Sequence, residues 1–400
     1  MARTRRIALI GGGIGGITAA IALRQRGFEV SVHEQSPELA EVGAGLQLGP
    51  NAVKVYRALG MEDDLRKIGG QPVNALTLNW TDNTPLARGN MRDGMIAQFG
   101  APYYNVHRAD MLHLIARAIP ESCLHLGKRC LGVNAKGSAR FADGSEIEAD
   151  IVIGSDGVRS MVRTSLFGAE APRYTGMECW RATLPVEKVT QRGFGNGETF
   201  TTDDAVNWLG PMGRVVCYPI SGGKIFNIFC GHVGAQWTDE SWTIPSSLDE
   251  VLAAYQGYHE TMLAMFHQVD PRQWFKWGVF DRDPLPRWNV GHVTLLGDAA
   301  HPMPPTLAQG AAMAIEDAYA LARCLAERDD MHEGLRQYEA ERLPHTTRAQ
   351  LQAREQFELN QSVPPKPRAS RDWMFAHDVT RTAPPSAEST GKHYDSGEEV

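Results

Sequence analysis

Ile7-Ala8-Leu9-Ile10-Gly11-Gly12-Gly13-Ile14-Gly15-Gly16, continued through apolar Ile17, Ala20, Ile21 and Leu23 to Phe28-Glu29-Val30-Ser31-Val32-His33-Glu34, is the stretch that decides the fold. The short apolar run predicts a strand and the glycines a tight turn. Helical spacing of the next apolar residues predicts a helix, and Phe28 to His33 reads as a second strand. This is a βαβ opening. Gly11-x-Gly13-x-x-Gly16 falls between the strand and the helix, and Glu34 ends the second strand. Glycines let the backbone approach a pyrophosphate, the helix N-terminus favours its charge, and the carboxylate accepts ribose hydroxyls. Gly11, Gly13, Gly16 and Glu34 are therefore expected to hold a dinucleotide. The fingerprint alone does not separate FAD from NAD.

The bulk of the chain narrows the function classes. Its 400 residues suit two closely packed domains with a cofactor cleft between them. The net charge is -7, and the only tight basic run is Arg3, Arg5 and Arg6, so a nucleic-acid partner is not expected. Six cysteines lie far apart without C-x-x-C spacing, which argues against a zinc site, indeed any metal site of that kind, and against a disulfide framework. A reducing cytoplasm fits best. Ile7 to Ile10 is too short for a signal peptide or a membrane span, so no stable membrane association is expected.

Further along, Ile147 to Gly154 reads as one buried strand after the hairpin-like Ala142-Asp143-Gly144-Ser145. Between Tyr174 and Phe280 the segments alternate and are rich in aromatics. Arg214 to Ile220 and Lys224 to Cys230, separated by Ser221-Gly222-Gly223, predict an antiparallel hairpin. The run Val293 to Leu296 then leads into Gly297-Asp298 and a helical pattern from Ala308 to Glu327. The expected fold class is α/β: a Rossmann-like dinucleotide domain, discontinuous over 1–71, 102–171 and 286–362, with an inserted, mainly antiparallel β-sheet substrate domain from 72–101 and 172–285. Residues 363–400 hold Pro364, Pro365, Pro367, Pro384 and Pro385 and read as a partly disordered tail. Trp373-Met374-Phe375 is its one expected docking point.

Two later motifs decide the cofactor. Ile153-Gly154-Ser155-Asp156-Gly157-Val158-Arg159-Ser160 and Leu296-Gly297-Asp298-Ala299-Ala300-His301-Pro302 are joined by Glu41-Val42-Gly43-Ala44-Gly45, His107-Arg108 and Ala308-Gln309-Gly310-Ala311. Over nearly its whole length the chain resembles the single-component FAD-dependent aromatic hydroxylases. The resemblance implies FAD, with Asp298 in the Gly297-Asp298 motif on the ribityl chain and Arg108 near the phosphates. It assigns Asp156 and Gly157 to FAD and NAD(P)H contact, and sets the backbone near Gly15, Gln35, Cys130 and Ala311 against the cofactor. A surface salt bridge is the competing reading for Arg108, and a turn residue for Asp156. The helix from Gln309 would aim its positive end at the flavin pyrimidine edge, although an ordinary Ala-rich helix is as good a reading by itself. With one fingerprint only, NADH or NADPH is implied as a transient cosubstrate. An oxygen atom from O2 would reach the ring through the flavin C4a-hydroperoxide.

Within this family the chain is most similar to enzymes of the salicylate, 3-hydroxybenzoate and 6-hydroxynicotinate type, so a small hydroxylated aromatic or N-heteroaromatic acid is the implied substrate. Asp281 to Pro286 and Gly297 to Leu325 resemble the hydroxynicotinate enzymes most. Gln47 stands where those enzymes carry a histidine in Gly-x-His-x-Gly-Pro. An amide cannot act as a titrating base but can orient a substrate by hydrogen bonding. Tyr218 is the candidate for binding or deprotonating the substrate hydroxyl, with a core tyrosine as the even alternative. Pro302 is expected to shape the flavin-facing loop. His301 suits a structural role in that loop, and Trp180, Arg181 and Trp208 are candidate pocket residues. A monomer or homodimer is expected. The competing functions are a flavin-dependent reductase or dehydrogenase without oxygen insertion, and a non-catalytic FAD-binding protein. No Trp-x-Trp-x-Ile-Pro segment supports a halogenase.

Overall fold

Arg6–Ile10 is apolar at almost every position and buried on both faces, as a central strand of a parallel sheet must be. It lies between Ile151–Gly154 and Glu29–His33 in a five-stranded sheet, with Val293–Leu295 and Leu124–His125 at the edges. All of these pairings are parallel. Ile10 pairs with Gly154, and Gly154 with Leu295, so three strands end side by side and their following loops leave from one edge. The helix Ile14–Arg24 packs on the sheet, and the helix Gly310–Ala326 packs on that helix. Gly15 lets them close up: a Cβ there would stand 3.1 Å from that of Ala314.

The computed structural model describes residues 5–39, 45–190, 200–211, 213–234, 237, 244–360 and 369–381. Most of the Glu41-to-Gly45 motif lies outside them. The run expected as one strand from Ile147 to Gly154 is two elements. Glu146–Glu148 belongs to a three-stranded antiparallel sheet, and only Ile151–Gly154 enters the parallel one. Asp150 marks the change, since its Oδ2 accepts from the Arg6 backbone N–H at 2.8 Å and so takes up the first donor of the central strand.

The second large sheet has eight strands, in the order Ile244–Pro245, Phe275–Asp281, Arg173–Pro185, Ile225–Val233, Gly213–Ile220, Ala205–Leu209, Asn74–Asn79 and Pro85–Asn90. It is antiparallel except where Ala205–Leu209 meets Asn74–Asn79. The expected hairpin is present, with Tyr218 opposite Asn227. Its outer face buries Val215, Cys217, Ile228, Trp180 and Trp208 with Tyr255, Met262 and Phe266. These aromatic and β-branched residues suit a pleated surface covered by helices. Alternation puts Arg181, Arg214, Val216, Tyr218 and Asn227 on the other face. Trp180 and Trp208, candidates for the pocket, therefore belong to the far side of the sheet; their indole N–H groups bond Ser246 and Asn83.

A two-stranded unit, Gly45–Leu48 with Tyr104–His107, joins the two large sheets. The Gly45 N–H donates to Asn227 Oδ1 at 2.7 Å, and a Cβ at Gly45 would come within 2.7 Å of the Tyr218 ring. Only glycine fits there. The expected docking point Trp373-Met374-Phe375 lies in the short helix Asp372–Ala376, with Met374 and Phe375 buried. All six cysteines are free. No helix among the described residues is long and apolar enough to cross a membrane.

Candidate active site

Three motifs that are far apart in sequence meet at the C-terminal edge of the parallel sheet, where such sheets bind their ligands. Gly11 has φ +107°, and a Cβ on it would lie 2.3 Å from the Ser155 carbonyl oxygen. Gly16 is equally constrained, 2.2 Å from the Gly11 oxygen by the same measure. Ser155 Oγ ties the loops together by donating to the carbonyls of Ile10 and Gly11. Gly15 packs on Leu296 and Ala314, and Gly297, with φ +62°, also packs on Ala314.

Gly13 differs from its neighbours. It caps the helix Ile14–Arg24, and nothing lies within 4 Å of where its Cβ would stand. Bare backbone at a helix N-terminus is a cradle for a phosphate. Glu34 turns back over it: Oε2 accepts from the Gly12 N–H at 2.7 Å and Oε1 from the Ser36 N–H at 2.8 Å. A carboxylate has further lone pairs for a ribose. Gln35 beside it is exposed.

Asp298 is open to solvent yet surrounded by protein, as at the wall of a concave cleft. That surrounding raises its carboxyl pKa, and the charges of His301 and Arg108 oppose the rise. Arg108 is thus in electrostatic reach of Asp298. Gly310, at the start of the helix Gly310–Ala326, is also close, since a Cβ there would be 3.8 Å from Asp298 Oδ1. Half-buried Ala311 follows it in the first turn. The glycine turn, the open carboxylate and the cation around one cleft fit a dinucleotide with a polar chain between its halves.

Asp156 is braced by protein. Oδ1 accepts from Ser160 Oγ at 2.5 Å, and Oδ2 accepts from the Met161 and Val162 N–H groups. Burial raises its pKa while these bonds lower it. Ser160 caps the helix Met161–Phe167, Asp156 takes its first two N–H groups, and Gly157 turns the chain with φ +78°. Cys130 is half-buried, its thiol pKa pushed up by burial. Pro302 is buried, and its carbonyl accepts from Gln350 at 3.0 Å. Gln47 is half-buried, two residues from Gly45 and so on the same strand face, towards the sheet that carries Tyr218.

Sequence reading missed a buried ionic network behind this cleft. His301 Nε2 lies 2.6 Å from Asp317 Oδ2, which also accepts from the Gly297 N–H; Arg342 Nε donates to Asp317 Oδ1 at 2.8 Å. His301 therefore has a structural role. Arg342 also reaches Glu316 Oε2 at 2.8 Å, with His377 and His345 at 3.2 and 3.5 Å from the same oxygen. Glu316, His345 and His377 have the spacing of metal ligands, but the arginine already takes that oxygen. The one available signal was an acidic pair, Glu316-Asp317, in an otherwise apolar helix. Asn105 and Asn227 were also missed; Asn105 is fully buried opposite Gln47.

The family model described as an FAD binding domain matches residues 4–353. This chain belongs to the FAD-dependent aromatic hydroxylases. The hydroxylase is 37% identical to 6-hydroxynicotinate 3-monooxygenase of Bordetella bronchiseptica over 94% of its own length and 95% of the relative's. It is 38% identical to 3-amino-4-hydroxybenzoate 2-monooxygenase of Streptomyces cremeus, over 89% of each chain. Among solved structures it is similar to Klebsiella pneumoniae HpxO complexed with FAD and uric acid, with a TM-score of 0.80 and 26% identity, covering 90% of this chain and 89% of that one. The hydroxylase is an FAD-dependent monooxygenase of α/β fold.

Proposed function

We propose that this hydroxylase acts on a small aromatic or N-heteroaromatic acid that already bears a hydroxyl group, with NADH or NADPH as transient reductant. The observation that carries the reading is the junction at Gly45. There the strand bearing Gln47 and the sheet face bearing Tyr218 come together, and that strand also meets the helix Gly310–Ala326, whose first residue lies close to Asp298. The named relatives act on hydroxylated aromatic acids, which supports the same class here.

FAD, when bound, supplies the electrons and the activated oxygen. Gly11, Gly13, Gly16, Glu34, Arg108 and Asp298 would hold it, with Asp156 and Gly157 shaping the loop beside it. The chain's part is to orient the ring and exclude water. Burial pushes the Tyr218 hydroxyl well above its ordinary pKa. It therefore stays protonated near neutral pH and donates a hydrogen bond to the substrate oxygen instead of acting as a base. Gln47 can accept from or donate to the same substrate, and Pro302 holds the loop beneath it.

The test is NADH and NADPH oxidation by the FAD-loaded protein across hydroxybenzoates, hydroxypyridines and hydroxynicotinates, with product mass spectrometry under 18O2. One added 18O atom with an aromatic acid is expected. Tyr218→Phe should lose about tenfold in turnover, the worth of one hydrogen bond in a dry site, with FAD content unchanged. Oxidation giving only hydrogen peroxide with every compound would overturn the substrate reading.

A further inference from the structure

Ala308 stands in the left-handed region, with φ +55°, where an alanine has no preference of its own to be. Strain of this kind persists only when the surroundings over-determine it, and it gathers at functional sites. The two residues before Ala308 are held from three sides. Thr306 Oγ1 donates to the Ala353 carbonyl at 2.6 Å, and the Thr306 carbonyl accepts from Arg214 Nη2 at 3.1 Å. The Leu307 carbonyl accepts from Arg371 Nη1 at 3.0 Å, and the Leu307 side chain is fully buried with Met374, Met313, Ala349 and Ala353.

Arg371 and Met374 belong to residues 369–381, a strap that spans from the long helix Met331–Asn360 to the helix Pro50–Ala58. The strap is itself tied at both ends. Trp373 Nε1 donates to Gln352 Oε1 at 2.9 Å, and the Arg348 guanidinium lies 4.0 Å from the Trp373 ring. Lys54 Nζ donates to the carbonyls of Phe375, Ala376 and His377. Beyond Ala308 the chain enters the helix Gly310–Ala326, and a Cβ at Gly310 would lie 3.8 Å from Asp298 Oδ1. A return of Ala308 to the right-handed region would re-aim the chain between Leu307 and Gly310, and with it the helix start against Asp298.

We propose that the strap is part of the cofactor site: Arg371 and Met374 hold Leu307, and so hold Ala308 in its left-handed turn and the start of the helix Gly310–Ala326 in the position that binds FAD. Arg371 is a positioning residue, acting through the loop. The proposal rests on the placement of FAD along Asp298 and that helix start given above. Apparent affinity falls with the fraction of the protein in the binding conformation. Once the strap lets go, an alanine prefers the right-handed region by roughly tenfold, and FAD affinity falls by the same factor. Glycine takes up either hand about equally, so Ala308→Gly needs little holding.

The test is the Kd of FAD, measured by diluting the FAD-loaded enzyme and following the fluorescence of the released cofactor. In Arg371→Gln it is expected to rise about tenfold, and Arg371→Lys should recover part of the loss. Ala308→Gly added to Arg371→Gln should bring the Kd back to within about twofold of wild type. Phe266→Leu, on the far side of the substrate sheet, should lower the melting temperature and leave the Kd unmoved. A merely stabilising strap would give the opposite pattern: FAD affinity would follow melting temperature in every variant, Phe266→Leu included, and Ala308→Gly would restore nothing. That pattern overturns the proposal, as does an Arg371→Gln Kd within about twofold of wild type. Should Arg371→Gln not fold, Lys54→Met, which frees the other end of the strap, is read in its place by the same criteria. Asp298→Ala separates the two layers. If it releases FAD and Arg371→Gln does not, the role of the strap alone falls; if neither does, the placement of FAD falls with it.

Discussion

Gly11 and Gly16 carry the C-terminal edge of the parallel sheet because both stand where backbone meets backbone. Gly11 and Gly16 could be assigned from spacing alone, as the clash they avoid lies in the turn they form or in the loop beside it. Ala308 breaks the same rule: it has φ +55° without being glycine, immediately before the helix Gly310–Ala326. An L-residue there costs more than glycine, by an amount partly offset by the greater freedom of glycine in the unfolded chain. Ala308→Gly should therefore stabilise the protein by about 0.5–1 kcal/mol, read as a higher denaturant midpoint. A lower midpoint would mean that the methyl group makes contacts worth more than the strain. Asp298 and Arg108 were candidates from their motifs, and the fold brings their charges within reach of one another. The burial of Arg214 was not legible, because nothing local distinguishes a buried arginine from one on the surface.

Among the elements, the helix Asp372–Ala376 shows how much a short segment can do when both of its ends are tied. Lys54 Nζ donates to the carbonyls of Phe375, Ala376 and His377 at 3.0, 3.2 and 3.2 Å, satisfying the groups that a helix end leaves free. Phe375 packs edge-on against Phe99 and Tyr103 and closes over Gly49, two residues beyond Gln47. Arg371 donates to the Leu307 carbonyl, so the segment grips both the strand of Gln47 and the loop before Gly310. Phe375→Ala should cost about 3 kcal/mol, as buried Phe truncations do, measured by urea unfolding. Unchanged stability would mean that the segment does not hold these elements. Aromatic residues in a proline-rich tail pointed to docking, but not to what they dock on.

At the scale of the whole molecule, pH tests the buried network. His345 is held neutral, its pKa lowered to about 3 by burial and the Arg342 charge, which together outweigh the nearby Glu316. His33 is lowered to about 4 by burial, then by the charges of His125 and Lys128. Each binds a proton in the unfolded chain below about pH 6.5 but not in the folded one, so stability falls as pH drops from there. Burial alone would raise Glu316 and Asp317; Arg342 and His377 reverse this for Glu316, and His301 and Arg342 for Asp317, so that both are held low. Their share is present above their ordinary carboxyl range and is lost as pH falls below it. The melting temperature should therefore decline between pH 7 and 5, and His345→Asn should flatten the decline. An unchanged slope in that variant would remove His345 from this account.

The parallel sheet, the glycine turn and the hairpin of Arg214 to Cys230 were determined by the sequence itself, because periodicity and turn chemistry act between residues a few positions apart. Tertiary structure alone decided that Tyr218 meets Gly45, that Trp180 and Trp208 face away from the cleft, and that Arg342 neutralises Asp317 while Arg214 has no acidic partner among the described residues. Those outcomes depend on which strand faces are covered and on charges brought together across the chain, and burial in a medium of low polarity is what gives them their energy.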